Sequence, residues 1–301
     1  MNVFMVYGES IESDLDFDAL PRATRIKNTI LIQVERVSSI KKDTGISVRP
    51  CTAQGRTVHI VSHASHVSVQ VDLVLGFELW LSSRRIYCLA LDGTSEDLLK
   101  YWILQQIIPL FLLLNGSTEF LHGMAVSAIP YRNDQSGLSC IGFLGPSYAG
   151  KSTLLSYFLA RGHALVTDDQ LALSRRDYTE VLPAPPFYRA YRAAEELGVC
   201  AALYSAAATQ LQRLYLLAPA PSGTGVLIER LFGMDAVTAL FPNIHYSLHN
   251  SSKPDCFPLV ENRFRGIADV SRRIPIARLY VPRNLNRLSE VYDLIQNDRM
   301  N

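Results

Sequence analysis

Hydrophobic and polar residues follow two different patterns along the chain. Within residues 3–92, apolar and polar side chains partly alternate in short segments such as 30–34, 57–61 and 67–71. A period of two is typical of β-strands that turn one face toward a core. The pattern therefore predicts a β-rich N-terminal region.

A single helix is predicted after that region. Ser95 is a favourable N-cap, and Glu96 and Asp97 place negative charge in the first turn. The long apolar stretch that follows ends near Asn115-Gly116. We expect this helix to bridge the two halves of the chain.

From residue 118 onward, strands and helices alternate. The predicted strands cover 121–129, 138–144, 164–167 and 274–281, and the predicted helices cover 153–161 and 286–296. Such alternation predicts the α/β fold class. We expect a β-rich N-terminal domain with the bridging helix at residues 1–117, and an α/β domain at residues 118–301.

Composition and charge limit the kinds of partner and the cellular location that we expect. The 301 residues are 48% hydrophobic, which is enough for real cores, and the net charge of +1 favours neither nucleic acid nor anionic lipid as a partner. The longest apolar stretch, 101–114, contains Gln105, Gln106 and Pro109 and is too short to span a bilayer. The first residues lack the basic start of a signal peptide, and the five cysteines contain no C-x-x-C pair. We therefore expect a cytoplasmic protein with reduced thiols.

One segment carries the most specific chemical signal. Residues 145–152 fit the pattern G-x-x-x-x-G-K-[ST], with a predicted strand before them and a predicted helix after them. The glycines allow a tight turn with inward N–H groups, the lysine reaches β- and γ-phosphates, and the serine hydroxyl can ligate Mg²⁺. A glycine-rich turn without a ligand is the alternative. The residues expected to bind nucleotide are Gly145, Pro146, Ser147, Tyr148, Ala149, Gly150, Lys151, Ser152 and Thr153.

Two adjacent carboxylates supply the other half of a phosphoryl-transfer site. Asp168 and Asp169 follow the predicted strand 164–167, at the strand end where α/β sheets bind ligands. One carboxylate can face an attacking hydroxyl while the other faces a metal ion. Each also raises the proton affinity of its neighbour, which suits a general base. An acidic turn that merely begins a β-hairpin is the alternative.

Several further side chains are weaker candidates. His122, on the strand before the glycine loop, either lines the site or is a structural histidine, and His163 is expected to contact the end of the preceding helix. Arginines near a phosphate would stabilise developing charge, although a surface role is equally credible for each. These arginines are Arg189, Arg192, Arg263 and Arg265.

Residues 122–169 resemble the catalytic domain of HPr kinase/phosphorylase and its bacterial relatives. The similarity includes His-Gly at 122–123, the glycine loop, Arg-Gly-His at 161–163 and Thr-Asp-Asp at 167–169, with the same interval from lysine to aspartate. It extends over about the last three-fifths of the chain. The resemblance implies a P-loop kinase domain preceded by a smaller β-rich domain. It also implies these roles: Asp168 as general base, Asp169, Ser152 and Glu195 toward the metal, Lys151 on phosphate and His122 lining the site.

The chain also departs from that family. Tyr148 and Ala149 replace small residues of the loop, Thr153 replaces an acidic residue, and the polar segment 130–137 is longer. The later signature associated with the reverse, phosphorylase reaction is not recognisable. The opening segment 7–15 is instead similar to relatives found with peptide-maturation genes, among them kinases of the C-terminal serine of lasso-peptide precursors.

These observations predict an ATP- and Mg²⁺-dependent serine kinase that acts on a precursor peptide or small protein. A nucleotide-gated peptide-binding module that hydrolyses ATP without phosphotransfer is the main alternative, and a small-molecule kinase is the other. The sequence contains neither an N-K-x-D nor an L-S-G-G-Q segment, which disfavours GTPase and transporter-ATPase functions. Relatives of this kind form oligomers, so a homo-oligomer is a possible assembly.

Overall fold

The computed structural model describes residues 1–41, 43, 47–53, 55–130, 139–189, 194–221, 223–245 and 257–299. Over these residues the chain is a mixed α/β protein with several β-sheets. It divides into two compact units. Residues 1–116 and 194–198 form the smaller, β-rich first unit, and the other described residues from 117 onward form the second.

An eight-stranded sheet forms most of the first unit. The strands are β1 (Asn2–Val6), β2 (Glu9–Ser13), β3 (Ile30–Val37), β4 (Ser47–Ala53), β5 (Arg56–Ser62), β6 (Val67–Val71), β7 (Leu75–Trp80) and β8 (Arg85–Leu91). They lie in the order β1-β2-β3-β8-β7-β6-β5-β4, with β3 parallel to both of its neighbours. Along β8, the alternate residues Ile86, Cys88 and Ala90 are buried, as a strand with one face on the core requires. The prediction of a β-rich N-terminal region is confirmed.

One long helix follows this sheet, as predicted. Its parts are α1 (Glu96–Trp102), a π-helical turn (Ile103–Ile107) and α2 (Ile108–Leu114). Ser95 caps its first turn, and Gly116, at φ 75°, follows its end. Pro109 has no N–H to bond the carbonyl four residues earlier, which accounts for the widened turn before it.

The same helix is the one described helix with the length and hydropathy of a membrane span. However, 67% of its most apolar window is buried inside the protein. A core helix of a soluble protein has this property, so the burial is consistent with a soluble protein.

The second unit is built on a mixed sheet. Its strands are β9 (Thr118–Ser127), β10 (Ser139–Leu144), β11 (Leu165–Thr167), β12 (Gln170–Ser174), β13 (Glu180–Val181), β16 (Thr209–Pro219), β17 (Leu227–Leu231) and β18 (Ile276–Val281), with β14 (Phe187–Tyr188) and β15 (Val199–Cys200) as a separate ribbon. The order is β10-β9-β12-β13-β16-β18-β17, and β16 also pairs with β10. Strand β10 therefore lies between antiparallel β9 and parallel β16.

Helices cover both faces of this sheet. They are α3 (Lys151–Leu159), α4 (Gly233–Leu240), α5 (Phe257–Arg273) and α6 (Leu288–Arg299). Because adjacent strand residues point to opposite faces, Phe143 and Tyr215 pack with α3 and α6, while Leu144 and Leu214 pack with α4 and α5. The second unit thus has three layers, with the sheet in the middle.

Most predicted elements of this unit are present, with shifted ends. The helix predicted over 153–161 begins at Lys151, and the terminal helix predicted from 286 starts as a 3₁₀ turn (Leu285–Arg287) before α6. The strand predicted over 121–129 begins three residues earlier, at Thr118. The polar segment predicted over 130–137 lies outside the described residues from 131 on.

Candidate functional site

The glycine loop joins β10 to α3 in a tight turn. Gly145 and Gly150 have φ values of 150° and 97°, in the region that favours glycine. A Cβ atom on Gly145 would lie 3.2 Å from the Cβ of Ala149 and 3.3 Å from the carbonyl oxygen of Leu217. Helix α3 begins at Lys151, so its unpaired first N–H groups and positive dipole end adjoin the loop.

The side chain of Lys151 folds back across this loop. Its ammonium donates hydrogen bonds to the carbonyl oxygens of Gly145, at 2.6 Å, and Pro146, at 3.1 Å. The lysine charge is thereby held at the loop, next to the first turn of α3. Ser152 and Thr153, on that turn, are exposed.

Strand register brings two further predicted segments to the same place. In the β9–β10 pair, Gly123 lies opposite Leu144, the residue before the loop. In the β9–β12 pair, His122 lies opposite Gln170, and the N–H of Gly123 donates to the carbonyl oxygen of Asp169 at 3.2 Å. The glycine loop and the aspartate turn therefore flank His122-Gly123 from two sides.

Steric crowding explains why a glycine stands at position 123. A Cβ atom on Gly123 would lie 2.3 Å from Cδ2 of Leu144 and 2.7 Å from the carbonyl oxygen of Phe143. Any larger residue would push β9 away from β10 at the point where the loop begins. The close approach of these strands needs a hydrogen at this position.

Asp169 lies among cationic groups. Its backbone has φ 69°, its carboxylate forms an ion pair with Arg189, and its Oδ1 lies 3.4 Å from Nδ1 of His122. Burial alone would raise the pKa of Asp169, but the charges of Arg189, His122 and Lys151 oppose it, and the net pKa is lowered. Asp169 is thus a carboxylate that stays ionised.

The preceding residue, Asp168, has a pKa shifted in the opposite direction. Burial raises its pKa to about 6, although the N–H of Arg189 donates to its Oδ2 at 2.9 Å and stabilises the charged form. The negative charge of Asp169 raises the pKa further. The two neighbours are therefore tuned apart, one ionised and one able to take up a proton near neutral pH.

A second histidine, which the sequence analysis did not single out, stacks on His122. The ring of His245 lies 6.2 Å from that of His122, and burial lowers the pKa of both, that of His245 to about 4. The backbone N–H of His245 donates to the carbonyl oxygen of Phe120 at 2.9 Å. The carbonyl oxygen of His245 accepts a hydrogen bond from the side chain of Arg263. No local pattern marks His245, because its proximity depends on pairing with a distant strand.

Two of the arginine candidates have other partners. Arg263 is buried and forms an ion pair with Glu119 at 2.8 Å, and Arg265 pairs with Glu261 on the exposed side of α5. Both guanidinium groups are therefore held by glutamates. Of the other two, Arg189 joins the aspartate pair, whereas Arg192 lies outside the described residues.

His163 has a structural role. Its N–H donates to the carbonyl oxygen of Phe158 at 3.2 Å, which confirms the predicted contact at the end of α3. Its buried ring contacts the carbonyl oxygen of Ser127 at 2.6 Å and the hydroxyl of Tyr292 at 3.0 Å.

Glu195, predicted as a metal ligand, groups with the first unit. There its carboxylate accepts hydrogen bonds from Arg56 and, at 2.9 Å, from the indole of Trp102. Arg56 balances the negative charge of Glu195, and the Trp102 indole adds a hydrogen bond. Over the described ranges, no set of three or more His, Cys, Asp or Glu side chains could hold a metal ion by itself.

Two cavities adjoin the glycine loop. One, of about 320 Å³, is lined by His122, Gly145 and Pro146 and by residues of β16, α4 and β18. The other, of about 370 Å³, adjoins Tyr148, Gly150 and Thr153 and continues to the segment after β18. We call them the histidine-side cavity and the helix-side cavity. Leu217 lines both.

No protein-family model matches the chain, and no curated protein matches it. Chemical interpretation of the site therefore rests on its residues and geometry. These are a glycine loop with a lysine, two carboxylates of different proton affinity, and two histidines beside them.

Proposed function

We propose that the second unit is a P-loop, HPr-kinase-like catalytic domain, and that the protein is an ATP-dependent serine kinase acting on a peptide or small protein. The observation that carries this proposal is the strand register, which brings the glycine loop and the Asp168–Asp169 turn to either side of His122-Gly123. The opposite pKa shifts of the two aspartates support it. Phosphoryl transfer needs both a proton acceptor and a permanent negative charge for the metal.

In this proposal the loop holds the triphosphate. The tight turn between β10 and α3, with the helix N-terminus behind it, is a favourable anion site. Lys151 exchanges its two loop carbonyl oxygens for the β- and γ-phosphates. Its charge then balances the charge of the transferring group.

The residues fit a Mg²⁺ site in which the substrate phosphates supply some of the ligands. Mg²⁺ prefers oxygen ligands and usually takes only one or two from protein side chains. The hydroxyl of Ser152 and the ionised carboxylate of Asp169 can supply such oxygens. A site with so few protein ligands does not need three or more His, Cys, Asp or Glu side chains together, and the described ranges contain no such group. Bound Mg²⁺ would neutralise charge on the β- and γ-phosphates.

The transfer step uses Asp168 as the general base. The serine hydroxyl loses its proton to Asp168 as its oxygen bonds to the γ-phosphorus. The bond from that phosphorus to the β,γ-bridging oxygen breaks, and ADP leaves. A carboxylate with a pKa of about 6 is largely ionised at neutral pH and basic enough to assist.

Arg189 and His122 support this base in different ways. The backbone N–H of Arg189 orients Asp168, while its guanidinium pairs with Asp169. His122 lines the histidine-side cavity beside the loop, which is the space available for the acceptor hydroxyl. His245 stacks behind His122 and is proposed to hold its ring in place.

The acceptor class follows from the resemblance of the chain. The similarity of residues 7–15 to relatives found with peptide-maturation genes favours a precursor peptide, and the C-terminal serine of a lasso-peptide precursor is the specific proposal. A cytoplasmic location accords with such a substrate. A homo-oligomer is compatible with it.

Two other functions use the same loop. A peptide-binding ATPase would need Lys151 but would release free phosphate. A small-molecule kinase would need Asp168 but would not modify a peptide. A carboxylate base such as Asp168 can accept a proton from water or from an alcohol, so the phosphorylated product distinguishes these functions.

The test is mass spectrometry of candidate precursor peptides after incubation with the protein, ATP and Mg²⁺. The proposal predicts a gain of one phosphate on serine, with none on a matched peptide that has alanine at that position. Phosphate released into solution without any change in peptide mass would support the ATPase instead. Asp168→Asn should strongly slow transfer while nucleotide binding persists.

A further inference from the structure

The helix-side cavity has no function in the transfer step. Its walls come from the glycine loop and first turn of α3, from the end of β16, and from the segment after β18. Its volume of about 370 Å³ lies within the range of small-molecule sites, and its lining is mainly leucine, proline and valine. Such a cavity suits a flat, largely apolar group.

The position of the reacting groups determines which part of a bound nucleotide would enter the helix-side cavity. His122 lines the cavity beside Gly145 and lies 3.4 Å from Asp169, so we place the γ-phosphate on that side of the loop. A triphosphate bound along the loop then directs its α-phosphate away from His122. The helix-side cavity, which adjoins Gly150 and Thr153, is where the nucleoside would continue.

One side chain at this cavity is unusual. Tyr148 lies within the glycine loop, at φ 66°, and 84% of its surface is exposed. A large exposed aromatic ring at a cavity rim offers a face on which a nucleobase can stack. Leu285, across the cavity on another element, is 71% exposed.

From these observations we infer that the helix-side cavity is the nucleoside site, in which the base stacks on Tyr148 and packs against Leu285. This inference rests on the proposed function, since it assumes that the loop binds a triphosphate.

The test compares two probes, ATP and inorganic tripolyphosphate, by calorimetric titration of the full chain with Mg²⁺. Tyr148→Ala should reduce the ratio of ATP affinity to tripolyphosphate affinity about tenfold, and Tyr148→Phe should restore it. Leu285→Ala should reduce the same ratio about threefold. Phe232→Ala removes an exposed ring that lines neither cavity and should leave the ratio unchanged.

The outcomes separate the two proposals. If wild-type protein binds both probes but Tyr148→Ala leaves the ratio unchanged, the nucleoside site is wrong and the kinase proposal stands. If neither probe binds, both are wrong. Photolabelling with 8-azido-ATP gives an independent location: modification near Tyr148 or within 282–288 supports the site, and modification near His122 or Asn243 overturns it.

Discussion

Two clusters of charged side chains share strand β9 in the second unit, and they are built differently. The closed cluster consists of Glu119, Arg175 and Arg263. The open cluster consists of His122, Asp168, Asp169 and Arg189. In the closed cluster the glutamate has no exposed surface, and its two carboxylate oxygens pair with two different arginines. Such an arrangement has no room for a ligand.

The open cluster leaves part of its surface accessible. Side chains of His122 and Asp169 are 29% and 25% exposed, and the backbone of Asp169 has a positive φ. Asp168 has its pKa raised toward neutral pH. Strained backbone and shifted pKa values concentrate at functional sites, so the contrast favours the open cluster as the proposed functional site.

The largest expected effect is on catalysis by the open cluster. Asp168→Asn removes the proton acceptor but keeps an oxygen for the N–H of Arg189. We expect phosphate transfer to fall about 10³-fold, a cost of about 4 kcal/mol in the transition state. Single-turnover transfer to a serine peptide measures this, with nucleotide affinity as the control.

The next largest effect is on stability through the closed cluster. Glu119→Gln removes the carboxylate that Arg175 and buried Arg263 share, and the free energy of unfolding should fall by about 3 kcal/mol. Denaturant titration measures it. The matched control, Glu261→Gln, breaks an exposed pair with Arg265 and should cost less than about 1 kcal/mol. Equal costs for the two variants would contradict the distinction.

A smaller effect is expected at the glycine beside both clusters. Gly123→Ala places a Cβ atom 2.3 Å from Leu144 Cδ2 and 2.7 Å from a backbone oxygen, so β9 and β10 must separate. We expect a loss of about 2 kcal/mol in unfolding free energy and weaker nucleotide binding. Gly76→Ala, on β7, is the matched control, because a Cβ atom there would meet its neighbours at an ordinary 3.8 Å. A variant with wild-type nucleotide affinity would refute the link to the loop.

The smallest effect is a pH-dependent stability difference. The folded pKa of Asp168, about 6, is above its ordinary value of 3.8, mainly because of burial. The group therefore favours folding at low pH, and this contribution is lost as pH rises through about 6. Asp168→Asn lacks that loss, so its stability relative to wild type should rise by about 1 kcal/mol between pH 5 and pH 7. A constant difference across this range would contradict the raised pKa.

Local sequence signals predicted much of the fold. Ser95 marked the start of the long helix, and the glycine loop marked the junction of β10 and α3. These features depend on neighbouring residues, so a pattern can reveal them. The end positions shifted by up to three residues, because packing rather than propensity decides where a strand or helix stops.

Long-range features of the site could not be predicted in the same way. Arg263 was considered for phosphate contact, but it pairs with Glu119, 144 positions earlier in the chain. His245 was missed because long-range pairing, such as that of Ile244 with Leu121, brings it to His122. Glu195 groups with Arg56 and Trp102 of the first unit. Each of these contacts joins residues more than 90 positions apart, for which the sequence carries no local mark.

The most direct test of the account is the pH dependence of single-turnover phosphate transfer from ATP to a serine peptide. With Asp168 as the base, the wild-type rate should rise through about pH 6 and then level off. Asp168→Asn should be slow and show no such rise. An Asn variant that transfers phosphate at the wild-type rate, with the same rise through pH 6, would contradict the central claim.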